Sequence, residues 1–323
     1  MTTVSPDLAP EQLDAHRRAL TGYCYRLLGS GAEAEDAVQE TMVRAWRAAE
    51  RFEGRSSTKT WLFRIATNVC TDMMRSPQRR ARPVDLGPAR PPDPVHLADV
   101  LADDRWITPI ADASVIDLHG DPADVAAARD SIRLAFVSAL QHLPATQRAV
   151  LVLREVLHWP AAEVAELLDT TVAAVNSALQ RARATMATVH TDTPTEPLDA
   201  AQLEVLARYV DAFERYDMDA LASLLHDDVI QTMPPYAMWL QGRDDVLAWY
   251  AGPGIGCAGS RLLAGHANGC AAFAQYRVDP TGGHSPWALQ VIEVCGDRIA
   301  AVHSFLDTAE SFARFGFPPH LPA

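Results

Sequence analysis

The stretch that decides the reading is WPAAEVAELLDTTVAAVNSALQRARATM, residues 159–186. Its first part, up to Thr171, has the pattern of a short helix and a tight turn, and Val172 to Met186 that of a second helix. In this second helix Val172, Val175, Leu179, Ala182 and Met186 recur at spacings of 3 and 4, which places them on one inward stripe. Asn176, Ser177, Gln180, Arg181 and Arg183 fall on the opposite side. Thr170 or Thr171 can supply the capping oxygen, leaving the positive end of the helix near a phosphate. Amide and guanidinium groups on one face can reach base edges while the other face packs on a partner helix, which is what a DNA-recognition helix needs. An ordinary helical hairpin with a solvated face fits the same pattern, so the remainder of the chain has to discriminate.

Outward from this stretch, a helical unit is expected over 125–190. Toward the N-terminus a second all-α unit spans 8–80. Its first helix carries Leu13, Leu20, Tyr23, Cys24, Leu27 and Leu28 and stops at Gly29-Ser30-Gly31. The next, about Ala34 to Ala49, is expected to turn Val38, Met42, Ala45, Trp46 and Ala49 inward and to present Asp36, Gln39, Glu40, Arg44 and Arg47. A third is defined by Trp61, Leu62, Ile65, Ala66, Val69 and Met73, with Trp61 assigned to the core alongside Ile65 and Val69. Helices this close in sequence form one bundle. Residues 81–124 are rich in proline and aspartate without sustained periodicity, which is linker composition, and 191–199 form a second joint. The last unit, 200–316, opens with helical stripes and continues with β-rich segments such as Val229 to Met233, Cys270 to Val278, Ala288 to Cys295 and Ile299 to Phe305. Helices followed by an antiparallel sheet make an α+β domain.

A chain of 323 residues with a net charge of −13 argues at first sight against nucleic acid. The charge is unevenly placed, however. Residues 11–90 carry about four more basic than acidic groups, whereas 91–130 carry about seven and 191–323 about ten more acidic ones. Lys59 is the only lysine, so nearly all positive charge is guanidinium, suited to planar contacts with phosphate and base edge. Five scattered cysteines without a C-x-x-C pair point to reduced, mostly buried thiols rather than a zinc ribbon or a disulfide scaffold. No run approaches the 20 or so apolar residues of a membrane span, so the expected site of action is the cytoplasm, away from membranes.

Asp36-Ala37-Val38-Gln39-Glu40 with Arg44-Ala45-Trp46, followed by Trp61 to Cys70, resembles region two of the extracytoplasmic-function RNA polymerase sigma factors. Leu143-Pro144-Ala145-Thr146-Gln147-Arg148 with the helix-turn-helix ending Arg181-Ala182-Arg183 resembles their region four. The resemblance implies core RNA polymerase and promoter DNA as partners, with no cofactor and no catalysis. It assigns Asp36, Gln39 and Glu40 to docking on the clamp helices of the largest polymerase subunit. The turn at about Phe52 to Thr60 would capture an unstacked base, and Lys59, Arg64, Asn68 and Arg75 would read the minus-ten element. Asn176, Ser177, Gln180, Arg181 and Arg183 match the positions that contact the minus-thirty-five element. Ala178 and Gln180 depart from the family by standing where arginine or aromatic residues are frequent.

Residues 200–310 resemble SnoaL-type and ketosteroid-isomerase-like cones through Tyr209-Val210-Asp211-Ala212-Phe213, Asp219-Ala220-Leu221, His226-Asp227-Asp228-Val229 and Gly242-Arg243-Asp244-Asp245-Val246 before Trp249. The cone hosts enzymes and binding modules alike. Catalysis there would need Asp211, Tyr236, His266 and His303 to converge. The resemblance to factors carrying this fused domain implies regulation instead, with a small ligand in the cone as one route.

Overall fold

A computed structural model of the chain describes residues 10–52, 54, 56–74, 80–189, 198–306 and 309–323. Four helices build the N-terminal bundle: α1 (Pro10–Asp14), α2 (Arg17–Leu28), α3 (Gly31–Ala48) and α4 (Thr58–Met73). Gly29 ends α2 in the left-handed region at φ 73, and Ser30 then caps α3 by accepting from the Glu33 amide. Ser57 caps α4 through the Thr60 amide at 3.0 Å. Between the helices lie Leu20, Tyr23, Cys24 and Leu27 of α2, Ala34, Ala37, Val38 and Ala45 of α3, and Leu62, Phe63, Ala66, Val69 and Cys70 of α4, all buried.

Inward assignments on two helices of this bundle are corrected. Trp46 is 71% exposed. The inner stripe of α3 is set by small side chains, Ala34, Ala37, Thr41 and Ala45, which let the helices approach closely and leave no room for an indole. On α4, Trp61 and Ile65 are half-buried and Met73 is exposed, because the buried face is centred on Phe63, Ala66 and Cys70.

The second helical part comprises α5 (Asp112–Val115), α6 (Pro122–Asp130), α7 (Leu134–Leu140), α8 (Ala145–Leu151), a π-helical turn (Val152–Val156), α9 (Ala161–Leu167) and α10 (Val172–Met186). It forms one unit with the bundle. Two buried arginines join them: Arg148 donates to the Leu27 carbonyl and to Gln141 Oε1, and Arg26 donates to Ser131 Oγ at 2.6 Å. Burial lowers the Arg26 guanidinium to about 10.

The other unit contains residues from 198 onward together with Ala81–Ala111. Helices α11 (Ala200–Arg215), α12 (Met218–Leu224) and α13 (Arg243–Ala251) pack on a six-stranded sheet. Its strands are β1 (Leu225–Thr232), β2 (Trp239–Gln241), β3 (Arg261–Ala267), β4 (Cys270–Val278), β5 (His284–Cys295) and β6 (Arg298–Phe305), in the order β2-β1-β6-β5-β4-β3. All neighbours are antiparallel except β1 with β6, a parallel pair not expected from the sequence. Those two strands are joined through the whole of the intervening sheet, so no hairpin dictates their direction.

The proline-rich stretch after the bundle is not featureless. It folds into 3₁₀ turns at Pro83–Asp85, Pro94–Ala98 and Asp103–Arg105. Ala81 pairs with Trp106, Val100 with Tyr236 and Ala111 with Ala267, and Trp239 Nε1 donates to the Gly87 carbonyl at 2.8 Å. Proline restricts φ locally while leaving carbonyls free to accept, which suits a strap that is held by another surface and has no periodicity of its own.

Candidate nucleic-acid interface

The turn between α9 and α10 is closed by Asp169 at φ 50 and by the Thr170 amide donating to the Ala165 carbonyl. Thr171 caps α10, accepting from the Ala174 amide at 3.2 Å. Val175, Ala178, Leu179 and Ala182 form its buried stripe; Val172, expected inward, is 43% exposed because it occupies the first turn beyond the partner helix. Asn176, Gln180, Arg181 and Arg183 are exposed and Ser177 half-buried. Arg181 donates to Ser177 Oγ at 2.7 Å, and Arg183 to Glu155 at 2.6 Å. Ala178 is a core position, so its small side chain serves packing.

On α3, Asp36 and Gln39 are exposed, and Glu40 accepts from Arg44 at 2.7 Å, which raises the Arg44 guanidinium. Trp46 lies two turns beyond Gln39 on this same outer side. On α4, Arg64 donates to the Glu166 carbonyl at 2.8 Å and sits 3.8 Å from its carboxylate. Lys59 Nζ lies 5.0 Å over the ring of Trp159, and Phe63 packs against that ring at a tilt of 46°, the centroids 4.9 Å apart. Arg64, Thr67, Asn68 and Thr71 line one wall of a cleft of about 520 Å³; Thr146, Leu167 and Asp169 line the other. Arg75 lies outside the described residues. The local sequence gives no signal of these roles for Trp159 and Arg148, since both depend on neighbours about 100 residues away.

In the C-terminal unit the four residues considered for catalysis do not converge. Asp211 is exposed and paired with Arg215 at 2.7 Å, and His266 is exposed near the end of β3. His303 bonds Thr232 Oγ1 at 2.9 Å on the sheet face opposite Gln290, and Tyr236 follows the β1 strand end beside the strap. Inside the cone Tyr209 donates to Gln290 at 2.8 Å, Gln290 to Gln275 and Gln275 to Ser260, each at 3.0 Å. This is a chain of neutral groups. Burial pushes the Tyr209 phenol well above its ordinary range, so it stays a donor. Among the described residues no cluster of His, Cys, Asp or Glu is placed to hold a metal, and no helix is long and apolar enough to cross a membrane.

A helix-turn-helix tied to a four-helix bundle, with an α+β cone attached, defines a modular protein built to read DNA. Comparison with known proteins agrees part by part. The Sigma-70 region 2 model matches residues 13–80, the Sigma-70 region 4 model 133–186 and the SnoaL-like domain model 206–302. The chain is 43% identical over 314 residues to the ECF RNA polymerase sigma factor SigG of Mycobacterium tuberculosis, covering 95% of this chain and 83% of the relative. It is 30% identical over 263 residues to SigJ of the same organism, covering 78% and 77%. The crystal structure of SigJ matches 95% of this chain and 99% of its own with a TM-score of 0.60 at 23% identity, a likeness of fold. The chain belongs to the extracytoplasmic-function sigma factors of RNA polymerase.

Proposed function

We propose that this sigma factor docks on core RNA polymerase through Asp36, Gln39 and Glu40, reads the minus-ten element with Lys59, Arg64, Asn68 and Arg75, and reads the minus-thirty-five element with Asn176, Ser177, Gln180, Arg181 and Arg183. The observation that carries the reading is α10, which buries one stripe against α8 and α9 and keeps a polar, arginine-bearing side outward behind a capped N-terminus. The site of action is then the cytoplasm, where polymerase and chromosome are.

Regulation by the fused domain acts through the strap. Residues 81–111 could span about 100 Å if extended, enough to let the two DNA-reading parts separate widely. Pinned at Ala81–Trp106, Val100–Tyr236 and Ala111–Ala267, the same residues are withdrawn into the C-terminal unit. The domain thus sets how much tether the DNA-reading parts have. A ligand in the cone would have to engage the chain of Tyr209, Gln290, Gln275 and Ser260, buried neutral groups that bond one another and offer hydrogen bonds but no acid–base chemistry.

The test is run-off transcription from a genomic fragment library with core polymerase, using the full chain, an Arg181→Ala, Arg183→Ala double variant and a Trp106→Ala variant. Specific transcripts that the double variant loses, and whose yield Trp106→Ala changes, support the reading. Absent core binding overturns the docking assignment, and an unchanged yield with Trp106→Ala overturns regulation through the strap.

A further inference from the structure

The face of α4 assigned to DNA is partly covered by another part of the same unit, with Lys59 and Asn68 still exposed and Arg64 half-exposed. Lys59 sits over the Trp159 ring, Phe63 packs at a tilt against it, Arg64 is engaged by the carbonyl and carboxylate of Glu166, and Asn68 faces a cleft whose far wall includes Asp169. Each of these partners stands where nucleic acid would: an aromatic ring in place of a base, and carboxylate and carbonyl oxygens in place of phosphate. Trp159 is 4% exposed at the turn leading into α9, so its ring is held by the local fold and not by chance. The contact is also imperfect. Arg64 Nε is buried with no hydrogen-bond partner among the described residues, a cost that separation and hydration of α4 would relieve.

We infer that the Trp159 turn and α9 form an intramolecular cover over the DNA-reading face of α4, so that promoter single strand and the helix-turn-helix compete for the same side chains. The inference rests on the reading of α4 as the minus-ten reader. The cover is distinct from the buried Arg148 and Arg26 contacts, which hold α8 and the residues preceding α7 against α2. Opening therefore swings α9 away from α4 while the buried arginines keep the unit together. Because the cover includes an ion pair and a cation–π contact, rising salt weakens it along with DNA binding, and the competition is sharpest at low ionic strength.

Two readouts on the full-length protein test this. The first is acylation by an N-hydroxysuccinimide ester, read at the peptide containing Lys59 because an α-amine reacts as well; Lys59 is the only lysine, and its rate reports engagement with the Trp159 ring without DNA. The second is binding of a fluorescein-labelled single-stranded oligonucleotide pool with a degenerate core. Trp159→Ala removes the ring, Glu166→Arg sets like charge against Arg64 at a half-exposed position where folding is not at risk, and Trp159→Phe retains a ring as the control. The expected result is acylation several times faster and oligonucleotide binding about tenfold tighter, equivalent to roughly 1.4 kcal/mol, in Trp159→Ala and Glu166→Arg, with Trp159→Phe near the parent. The gain should vanish when Lys59→Ala and Arg64→Ala are added. Faster acylation with parent and variants binding equally tightly overturns the cover, as does acylation unchanged in both opening variants. Faster acylation with no binding by any form overturns the assignment of α4 to DNA, and the inference falls with it.

Discussion

Replacing Arg148 by methionine keeps the length of the side chain and removes its donors. In the native unit the guanidinium, 7% exposed, donates to the Leu27 carbonyl, to Gln141 Oε1 at 2.6 Å, to the Gln141 carbonyl at 3.3 Å and to the Leu143 carbonyl at 3.1 Å. Charge-assisted bonds are worth roughly 1.5–3 kcal/mol each, and a buried acceptor left without a donor costs about 1–3 kcal/mol. These figures are not additive within one network, and the loss settles near 3–5 kcal/mol, the range for breaking a buried charged contact. For a unit of this size each kcal/mol lowers the midpoint by about 2–4 °C, so the helical unit should melt roughly 6–20 °C earlier. Calorimetry on the full chain resolves this as a shift of one transition while that of the C-terminal unit stays in place. Arg148→Lys, which keeps a charge but only a single donor point, should fall between the two. A shift below about 2 °C for Arg148→Met would refute the view that this guanidinium is the principal tie between α2 and α8.

Trp46→Ala should leave unfolding within about 0.5 kcal/mol of the parent, since the indole is largely in water, yet weaken binding to core polymerase if the Asp36–Gln39 side of α3 is the docking surface; pull-down and calorimetry together separate the two effects. Thiol titration of the native protein should find Cys295 reactive first, Cys257 and Cys270 slower, and Cys24 and Cys70 silent until denaturant is added. Both silent thiols are fully buried, and the hydrogen bond between them, reinforced by burial, raises the Cys70 thiol further from the reactive thiolate.

Much of this protein is legible in its sequence because the evidence is local. The 3 and 4 spacing of Val175, Leu179 and Ala182, the Thr171 cap and the Asp36 to Glu40 motif each lie within a turn or two of helix, and the structure forms those helices. The change to β-rich segments after Asp228 is local in the same way. Other features needed the folded chain. A stripe of residues does not say which neighbour will fit against it, so Trp46 looked like core by period, although the close approach allowed by Ala34, Ala37 and Ala45 excludes it. The parallel pairing of β1 with β6, the anchoring of the proline-rich strap to Tyr236 and Ala267, and the cover of Trp159 over Lys59 and Phe63 all join residues far apart in the chain. Hydrophobic period, capping and turn chemistry are read from a few successive residues, whereas contact between distant segments depends on shape and on the loop entropy lost to bring them together, and neither is written in any single stretch.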